Sequence, residues 1–374
     1  MMVIIKDEIY GTIEFDELEE RIIDTAAFQR LRRIAQMSVT NLVYPGANHT
    51  RFEHSLGTAY LSSLISERLG LEESEKKKIK IFSLLHDIGH VAFSHEGEDV
   101  LKRYIGDHET LGRDIIRKGE IADIINENYS SKEIAEMYGS KRGMIVEADI
   151  GADRMDYLKR DALNTGVAYG MIDIDRIVHT LAVEGNELCV TEGGLEAAEF
   201  LLVARFMMFS AVYLHKTVRI ATAMLQRAIE GSIEDGTIKP EEFLYMGDAV
   251  AYERMLQSQN AKKYVDGLLR RRLYKEILSL PEKKINMKEA KELEKKLSEQ
   301  FECDIILDYP TKFSKAVELK VKTNDGLKTL PKMSSLVNSL QKAEEERRKI
   351  LVISEEAVRR TRGEEIRKAV LRFI

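Results

Sequence analysis

The chain has 374 residues, of which 44% are hydrophobic and 32% are charged, with 5 Pro and no Trp. This length and composition allow one large helical domain with a sizeable core and a smaller lobe. The formal net charge of −6 excludes an overall basic character, so we do not expect nucleic acid as a partner. A local basic pocket for a phosphorylated small molecule stays compatible with this charge.

The cysteines and the apolar runs bear on the compartment. Cys189 and Cys303 lie far apart and neither belongs to a CxxC pair, which predicts a reducing, cytoplasmic location. The N-terminal MMVIIKDEIYG lacks the basic start and the long apolar centre of a signal peptide. No run of about 18 apolar residues occurs, so we expect no membrane span.

The first part of the chain predicts a short hairpin followed by helices. We expect a strand or hairpin over 1–15, then a helix that begins with Asp24 as its N-cap and continues through AAFQRLRRIAQM. VYPGANHT contains Pro-Gly and predicts a loop. Helices are expected over 52–69 and 74–87, and the second of them delivers the His-Asp pair of LLHDIGH at its end.

The middle of the chain predicts further helices and a hairpin. Helices are expected over 109–127, 131–138 and 147–163, and the apolar stretch 194–231 predicts one long helix. Between them, DIDRIVHTLAVEGNELCV predicts a helix followed by a short hairpin.

The composition changes near residue 262, where charged helical stretches begin to alternate with the strand-like runs CDIILDY, AVELKVKT and KILVIS. We therefore predict a mainly α fold with a helical core over 1–260 and a smaller C-terminal α+β lobe over 261–374. We expect the lobe to pack on the core and to serve in oligomerisation.

Histidines and aspartates carry the strongest chemical signal. His54 lies in RFEHS, His86 and Asp87 in LLHDIGH, and Asp153 in GADRMDYLKRD, while His90 and His95 follow soon after the His-Asp pair. Nitrogen and oxygen ligands without cysteine favour a hydrolytic or non-haem metal site over a structural zinc site. A lone histidine is usually a core or surface residue, so spacing alone leaves both interpretations open. The leading hypothesis is a metal-assisted hydrolase.

Longer phrases carry a family resemblance. FQRLRRIAQ, VYPGANHTRFEHSLG, LLHDIGHVAFSH, DRMDYLKRD and YLHK resemble, in this order, the deoxynucleotide triphosphohydrolase branch of the HD-domain phosphohydrolases. That branch includes the SAM- and HD-domain-containing triphosphohydrolase of animals. The resemblance covers roughly residues 5–230, whereas the C-terminal lobe is similar only in composition.

The resemblance implies a metal centre and a catalytic set. The implied metal ligands are His54, His86, Asp87 and Asp153. The metal would be a divalent transition ion (Fe, Mn, Zn or Ni), with Mg as a further option. The implied catalytic residues are His90, His95, His108 and Glu98, where Glu98 replaces the Asp common in the family. His95 is the first candidate for the general acid that protonates the leaving 5′-oxygen.

The resemblance also implies contacts to the substrate. The implied substrate-binding residues are Gln36, Arg51, Arg154, Tyr157, Asp161, Arg205 and Tyr213. The three arginines would bind phosphates, Gln36 and Asp161 the 3′-hydroxyl, and Tyr157 the ribose ring, where little room remains for a 2′-hydroxyl. For Arg205, a buried salt bridge to an acidic neighbour is the alternative.

A second nucleotide site is implied at positions that match the animal enzyme only in part. Asp24 and Arg32 match two residues of its guanine-reading site, and Lys216 is a third candidate. Val3 stands where a lysine is expected, so activation by GTP or a dNTP is expected to be weak or absent. Arg32 could equally be an ordinary surface residue. The resemblance further implies a homo-oligomer, with a tetramer as the expected state.

These inferences predict hydrolysis of deoxynucleoside triphosphates to deoxynucleoside and inorganic triphosphate. One alternative is another HD phosphohydrolase, acting on nucleoside monophosphates, cyclic phosphates or alarmones. Another is a nucleotide-sensing oligomer whose hydrolysis is incidental. A nuclease is disfavoured by the net charge of −6 and by the absence of an aromatic-basic stripe.

Overall fold

The computed structural model describes residues 2–310 and 318–374. Its helices are α1 (Glu17–Ile23), α2 (Ala26–Gln29), α3 (Arg51–Arg68), α4 (Glu73–Leu85), α5 (Ser94–Ile105), α6 (His108–Arg117), α7 (Gly119–Asn126), α8 (Ser131–Ala135), α9 (Met144–Glu147), α10 (Ala152–Thr165), α11 (Ile174–Thr180), α12 (Leu195–Met208), α13 (Lys216–Glu234), α14 (Asp248–Met255), α15 (Lys262–Leu269), α16 (Met287–Phe301), α17 (Leu330–Met333), α18 (Ser335–Arg347) and α19 (Glu356–Phe373). Its strands are β1 (Val3–Asp7), β2 (Gly11–Phe15), β3 (Leu181–Glu184), β4 (Glu187–Thr191), β5 (Lys275–Pro281), β6 (Ile305–Asp308), β7 (Lys320–Thr323), β8 (Gly326–Thr329) and β9 (Lys349–Ser354). The predicted mainly α fold is confirmed.

The N-terminal region begins as predicted and then departs from the prediction. β1 and β2 form the expected antiparallel hairpin. Asp24 is not a helix N-cap, because it is the C-cap of α1, a helix that the sequence patterns did not reveal. The next helix begins after Thr25, whose hydroxyl accepts a hydrogen bond from Phe28 N. This helix passes at once into a 3-10 turn at Arg30–Arg33.

Helix α3 lies at the centre of the core and packs against both α4 and α10. It begins at a capping box in which Glu53 accepts from Thr50 N, and it buries most of its length. A Cβ at Gly57 would lie 2.0 Å from Asp156 Oδ1, so the glycine allows α10 to approach α3 closely. The two central helices match the predicted 52–69 and 74–87 within two residues.

The segment that follows α4 turns sharply and leads into α5. His86 is the C-cap of α4, and a Cβ at Gly89 would lie 2.1 Å from His108 O, so this glycine lets α6 begin against the turn. The helix predicted over 109–127 is interrupted, because Gly119, the first residue of α7, adopts φ +71. The helix predicted over 147–163 is likewise divided into α9 and α10.

The prediction of one long helix over 194–231 is wrong. Helix α12 ends at Met208 in a π-helical turn, Phe209–Tyr213, and α13 begins at Lys216 after His215 accepts from Thr217 N. Among the described residues, no single helix is long and apolar enough to span a membrane. The segments Glu192–Tyr213 and Lys216–Glu234 meet that test only as a pair, and they are bent by 64°.

Two small sheets contain strands from the C-terminal part of the chain. One has the order β5-β9-β6 and packs against α16 and α19. The other has the order β3-β4-β7-β8, in which β3 and β4 form the predicted hairpin and β7 pairs parallel to β4. This second sheet joins residues from both sides of the predicted boundary at residue 260. The first two residues of the predicted strand AVELKVKT lie outside the described residues.

Candidate metal and catalytic site

Four side chains from three parts of the fold converge at one point. His54 is on α3, His86 and Asp87 follow α4, and Asp153 is in the first turn of α10. His54 Nε2 lies 3.0 Å from Asp153 Oδ1 and 3.5 Å from Asp87 Oδ2. His86 Nε2 lies 3.5 Å from Asp87 Oδ1 and 3.7 Å from Asp153 Oδ1. The four residues predicted as metal ligands are therefore brought together.

The two histidines are oriented by their other ring nitrogens. His54 Nδ1 lies 2.7 Å from Asp156 Oδ2, and His86 Nδ1 lies 2.7 Å from Ser83 O. Both Nε2 atoms are buried, and among the described residues neither has a well-formed hydrogen bond. Buried polar atoms are normally paired, and a metal-bound histidine usually has its second nitrogen fixed in this way. The arrangement fits a divalent metal ion held by the Nε2 atoms and the carboxylates.

The electrostatics of this cluster favour a positive charge at its centre. Burial lowers the pKa of His54, but the neighbouring carboxylates of Asp153 and Asp156 outweigh burial and raise it to about 10. Burial raises the pKa of Asp153, yet the neighbouring rings of His54 and His86 hold it well below its ordinary value. The cluster therefore stabilises a cation between its histidines and carboxylates, either a proton or a metal ion.

A chain of buried charges behind His54 was not predicted from the sequence. Asp156 accepts from Arg160 Nε and Nη2, both at 2.9 Å, and Arg160 Nη1 lies 2.9 Å from Asp7 Oδ2 in the N-terminal hairpin. Arg160 and Asp156 are fully buried. The available signals were Gly57, one turn after His54, and the spacing of four between Asp156 and Arg160.

A second cluster contains the four residues predicted to be catalytic. Glu98 Oε2 lies 2.7 Å from His108 Nδ1, 3.5 Å from His95 Nδ1 and 3.9 Å from His90 Nδ1. The rings of His90 and His108 stack with centroids 4.2 Å apart. His90 Nε2 also lies 3.3 Å from Asp87 Oδ1, so the two clusters share an edge.

The three histidines of this second cluster differ in exposure and charge. The side chain of His90 is fully buried, that of His108 is 22% exposed and that of His95 is 62% exposed. Burial, reinforced by Arg51, lowers the pKa of His90 well below its ordinary value. Burial also lowers the pKa of His108, but its hydrogen bond to Glu98 raises it above the ordinary value. His95 is therefore the histidine most accessible to a bound substrate.

The predicted phosphate-binding arginines lie in two places. Arg51 is buried, and its Nη1 donates to Asp87 Oδ2 at 2.6 Å while its Nε donates to Ser94 Oγ at 3.0 Å. Arg154 pairs with Asp149, and no residue in the described part of the chain accepts a hydrogen bond from its buried Nε. Burial, followed by the charge of Arg154, lowers the pKa of Arg205. Asp149 raises the pKa of both arginines, so two guanidinium groups share this carboxylate near the start of α10.

The predicted sugar-binding residues are already linked to one another. Asp161 Oδ2 accepts from Tyr213 Oη at 2.6 Å, and Asp161 Oδ1 lies 2.7 Å from His49 Nε2. Tyr157 is half-buried on α10, between Asp153 and Asp161. Gln36 donates its backbone N–H to His49 O, and its buried Oε1 accepts no hydrogen bond from residues 2–310 or 318–374. His49, which is not among the predicted site residues, is also part of this group.

The three residues assigned to a second nucleotide site lie on the surface. Asp24 is exposed at the end of α1, and Arg32 stacks 3.5 Å above the Phe52 ring while donating to Gln29. Lys216 is 59% exposed and pairs with Glu276 at 3.1 Å. Lys216 does not lie on the helix that carries Arg205, because the chain bends before α13.

Family comparisons agree with this geometry. The HD domain family matches residues 51–161, a range that contains every residue of both clusters. The HD associated region family matches residues 172–372.

Related proteins and structures extend over most of the chain. It is 37% identical over 361 residues to an uncharacterised protein of Methanocaldococcus jannaschii, covering 92% of this chain and 77% of that protein. It is 27% identical over 307 residues to the deoxynucleoside triphosphate triphosphohydrolase SAMHD1 homologue of Dictyostelium discoideum, covering 73% of this chain and 59% of that protein.

A hypothetical protein from Aquifex aeolicus has a similar crystal structure, with a TM-score of 0.82, 32% identity, and coverage of 99% of this chain and 100% of that chain. A phosphohydrolase from Bacteroides thetaiotaomicron gives a TM-score of 0.73 at 25% identity, with coverage of 95% and 100% respectively. The chain therefore belongs to the HD-domain phosphohydrolase family and carries the HD associated region after its HD domain.

Proposed function

We propose that this protein is a metal-dependent deoxynucleoside triphosphate triphosphohydrolase, which releases deoxynucleoside and inorganic triphosphate. The observation that carries the proposal is the shared edge between the two clusters, where His90 Nε2 lies 3.3 Å from Asp87 Oδ1. A phosphate ester bound at the metal ligands would therefore lie beside a group of histidines that can transfer protons. The similarity to the Dictyostelium triphosphohydrolase supports the choice of substrate.

The metal centre consists of His54, His86, Asp87 and Asp153 in this proposal. A divalent metal ion bound there would polarise a phosphoryl oxygen and lower the pKa of a water molecule. Fe, Mn, Zn and Ni suit the mixed nitrogen and oxygen ligands, and Mg could accompany the triphosphate.

The His–Glu cluster supplies the proton-transfer groups. Hydrolysis at the α-phosphorus breaks its bond to the 5′-oxygen, which must gain a proton as it leaves. His95 is exposed and holds its Nδ1 3.5 Å from Glu98, so it is the group best placed to donate that proton. Glu98 orients His108 through the 2.7 Å contact, and His90 contacts phosphate from its buried position.

The remaining residues fix the nucleotide in this proposal. Arg154 and Arg205, which share Asp149, bind phosphates, because guanidinium groups form paired hydrogen bonds with phosphate oxygens. Arg51 holds Asp87 and contacts the phosphate nearest the metal. At the other end, Tyr157 and Tyr213 enclose the ribose, while Asp161 and Gln36 bind the 3′-hydroxyl.

One observation keeps a second HD-type activity as a candidate. Both Asp161 oxygens already contact Tyr213 or His49, so a sugar hydroxyl must share a carboxylate that is in use. Each carboxylate oxygen can accept two hydrogen bonds, which still leaves positions for a ligand. Hydrolysis of a nucleoside monophosphate, a cyclic phosphate or an alarmone would require the metal centre but not the contact between Asp161 and a sugar hydroxyl.

Assembly and regulation form part of the same proposal. We propose a homotetramer, the state that the family resemblance implies, with GTP or a dNTP as activator at Asp24 and Arg32. Arg32 already stacks on Phe52, so an activator would have to compete with this ring or share it.

The decisive experiment is incubation of metal-loaded protein with each dNTP and each NTP, with and without GTP, and identification of the phosphate product. The proposal expects inorganic triphosphate from dNTPs, with slower turnover of NTPs. Release of pyrophosphate or single phosphate, or equal rates for dATP and ATP, would contradict it and favour the second candidate.

A further inference from the structure

The turn that leads to His95 has an unusual backbone. Phe93 and Ser94 are consecutive non-glycine residues with φ of 67° and 54°, in the left-handed region. This conformation is unfavourable for residues with a Cβ and persists only where the surrounding structure enforces it. Because His95 is the next residue, whatever holds this turn also sets the position of the exposed histidine.

The group that holds the turn is a carboxylate far away in sequence. Asp248 Oδ1 accepts a hydrogen bond from Phe93 N at 2.7 Å, and Asp248 Oδ2 accepts one from Ala35 N at 2.9 Å. One carboxylate therefore joins the turn before α5 to the segment before Gln36. A residue close to Asp248 in sequence makes a second hydrogen bond to this turn, because Phe243 O accepts from Ala92 N at 3.2 Å.

The two joined segments continue towards the metal ligands. Ser94 Oγ donates to Ala35 O at 2.7 Å and accepts from Arg51 Nε at 3.0 Å. Arg51 in turn donates to Asp87 Oδ2 at 2.6 Å. A continuous path of hydrogen bonds thus runs from Asp248 through Ser94 and Arg51 to a metal ligand.

The carboxylate of Asp248 bonds outside the helix that it begins. It begins α14, where a carboxylate usually faces the amides of its own helix. Here both oxygens bond to amides of residues 35 and 93 instead. Burial raises the pKa of Asp248 to about 6 against the effect of these two hydrogen bonds, so the carboxylate occupies an environment unfavourable to its charge.

We infer that Asp248 is a positioning residue for catalysis: it fixes the Phe93–Ser94 turn, and through it the place of His95 and the orientation of Arg51. The HD associated region, which contains Asp248, thereby contributes to the active site of the HD domain. The effect on catalysis rests on the proposed function, whereas the effect on the turn does not.

The test compares Asp248→Asn with Glu253→Gln, a matched removal of charge at an exposed position of the same helix. An asparagine offers one carbonyl oxygen, so one of the two amides loses its acceptor. Hydrogen exchange of peptides covering residues 33–37 and 91–95 should become faster by about tenfold or more, since an unsatisfied buried amide is costly. With dNTP, kcat should fall by about 10²-fold, while KM and the bound metal per chain stay unchanged.

Three results would overturn the inference: unchanged exchange, faster exchange with unchanged kcat, or equal effects in Glu253→Gln. If Asp248→Asn does not fold, Asp248→Glu replaces it, because this variant keeps the charge and both acceptors but displaces the carboxylate. Hydrogen exchange and kcat of Asp248→Glu then test the inference in the same way. If the unmodified protein turns over no dNTP, the proposed function fails, and hydrogen exchange still decides whether Asp248 holds the turn.

Discussion

Replacement of Asp156 by alanine should weaken both the fold and the metal centre. Asp156 is fully buried, and its carboxylate accepts from both sides: His54 Nδ1 at 2.7 Å and two Arg160 nitrogens at 2.9 Å. Without it, the counter-charges that Arg160 keeps among the described residues are Asp7 at 2.9 Å and the half-exposed Glu8 at 3.7 Å. The substitution therefore leaves the buried guanidinium group of Arg160 with less negative charge around it. It also removes the hydrogen bond that orients the His54 ring.

The size of the effect follows from these contacts. Removal of one partner of a buried ion pair costs about 3–5 kcal/mol of unfolding free energy. Because Asp7 remains beside Arg160, we expect a value near the lower end, about 3 kcal/mol. Loss of the group that orients a metal-binding histidine typically weakens metal affinity by about 10–100-fold.

Two measurements test this prediction. Urea unfolding of metal-free protein gives the unfolding free energy, and calorimetric titration with Mn²⁺ or Zn²⁺ gives the metal affinity. Asp123→Ala, at an exposed position of α7, is the control for loss of an aspartate. If Asp156→Ala matches this control in both measurements, the chain of charges behind His54 has no energetic role and the reasoning is refuted.

Four further predictions concern catalysis, selectivity, pH and assembly. His95→Ala should lower turnover by about 10²–10⁴-fold with the metal still bound; an unchanged rate would move the acid role to His108 or His90. Tyr157→Ala should narrow the ratio of dNTP to NTP turnover, and an unaltered ratio would remove Tyr157 from the ribose site. Burial raises the pKa of Glu147 from 4.5 to about 7. The unfolding free energy that Glu147 contributes at low pH is therefore lost as the pH rises from 4.5 to about 7. Glu147→Gln should therefore flatten the pH dependence of urea unfolding between those values, and a parallel curve would contradict the assignment. Light scattering should show an oligomer at micromolar concentration, tightened by nucleotide if ligands bind between subunits; a monomer with and without GTP and dNTP would refute the assembly proposal.

The sequence predicted the metal ligands but not the residue that orients one of them. His54, His86, Asp87 and Asp153 stand in long motifs, and the structure brings them together. Asp156, which orients His54, lies in the same motif but was not singled out, because a carboxylate on a helix is usually solvated. Only the tertiary approach of α10 to α3 at Gly57 shows that it is buried.

The helix boundaries illustrate a different limit. Apolar residues continue through 194–231, and hydrophobic periodicity cannot distinguish a straight helix from one that is interrupted by a π-helical turn. The break depends on the local backbone and on His215, which caps α13 through a side chain that looks unremarkable in sequence. Likewise Asp248 could not be found from the sequence, because its two amide partners are 155 and 213 positions away.

The pairing of β7 with β4 has a consequence for synthesis of the chain. Cys189 is aligned with Lys320, so one edge of β4 stays without its partner until the chain has grown from residue 189 to residue 320. At a translation rate of about 5–20 residues per second, this delay is roughly 7–26 s. During this time the nascent chain exposes unpaired backbone amides and carbonyls at a strand edge, which can pair with strands of other chains. The same edge would be permanently exposed in a protein shortened after residue 260, so trimming the C-terminal part should favour aggregation of the remaining core.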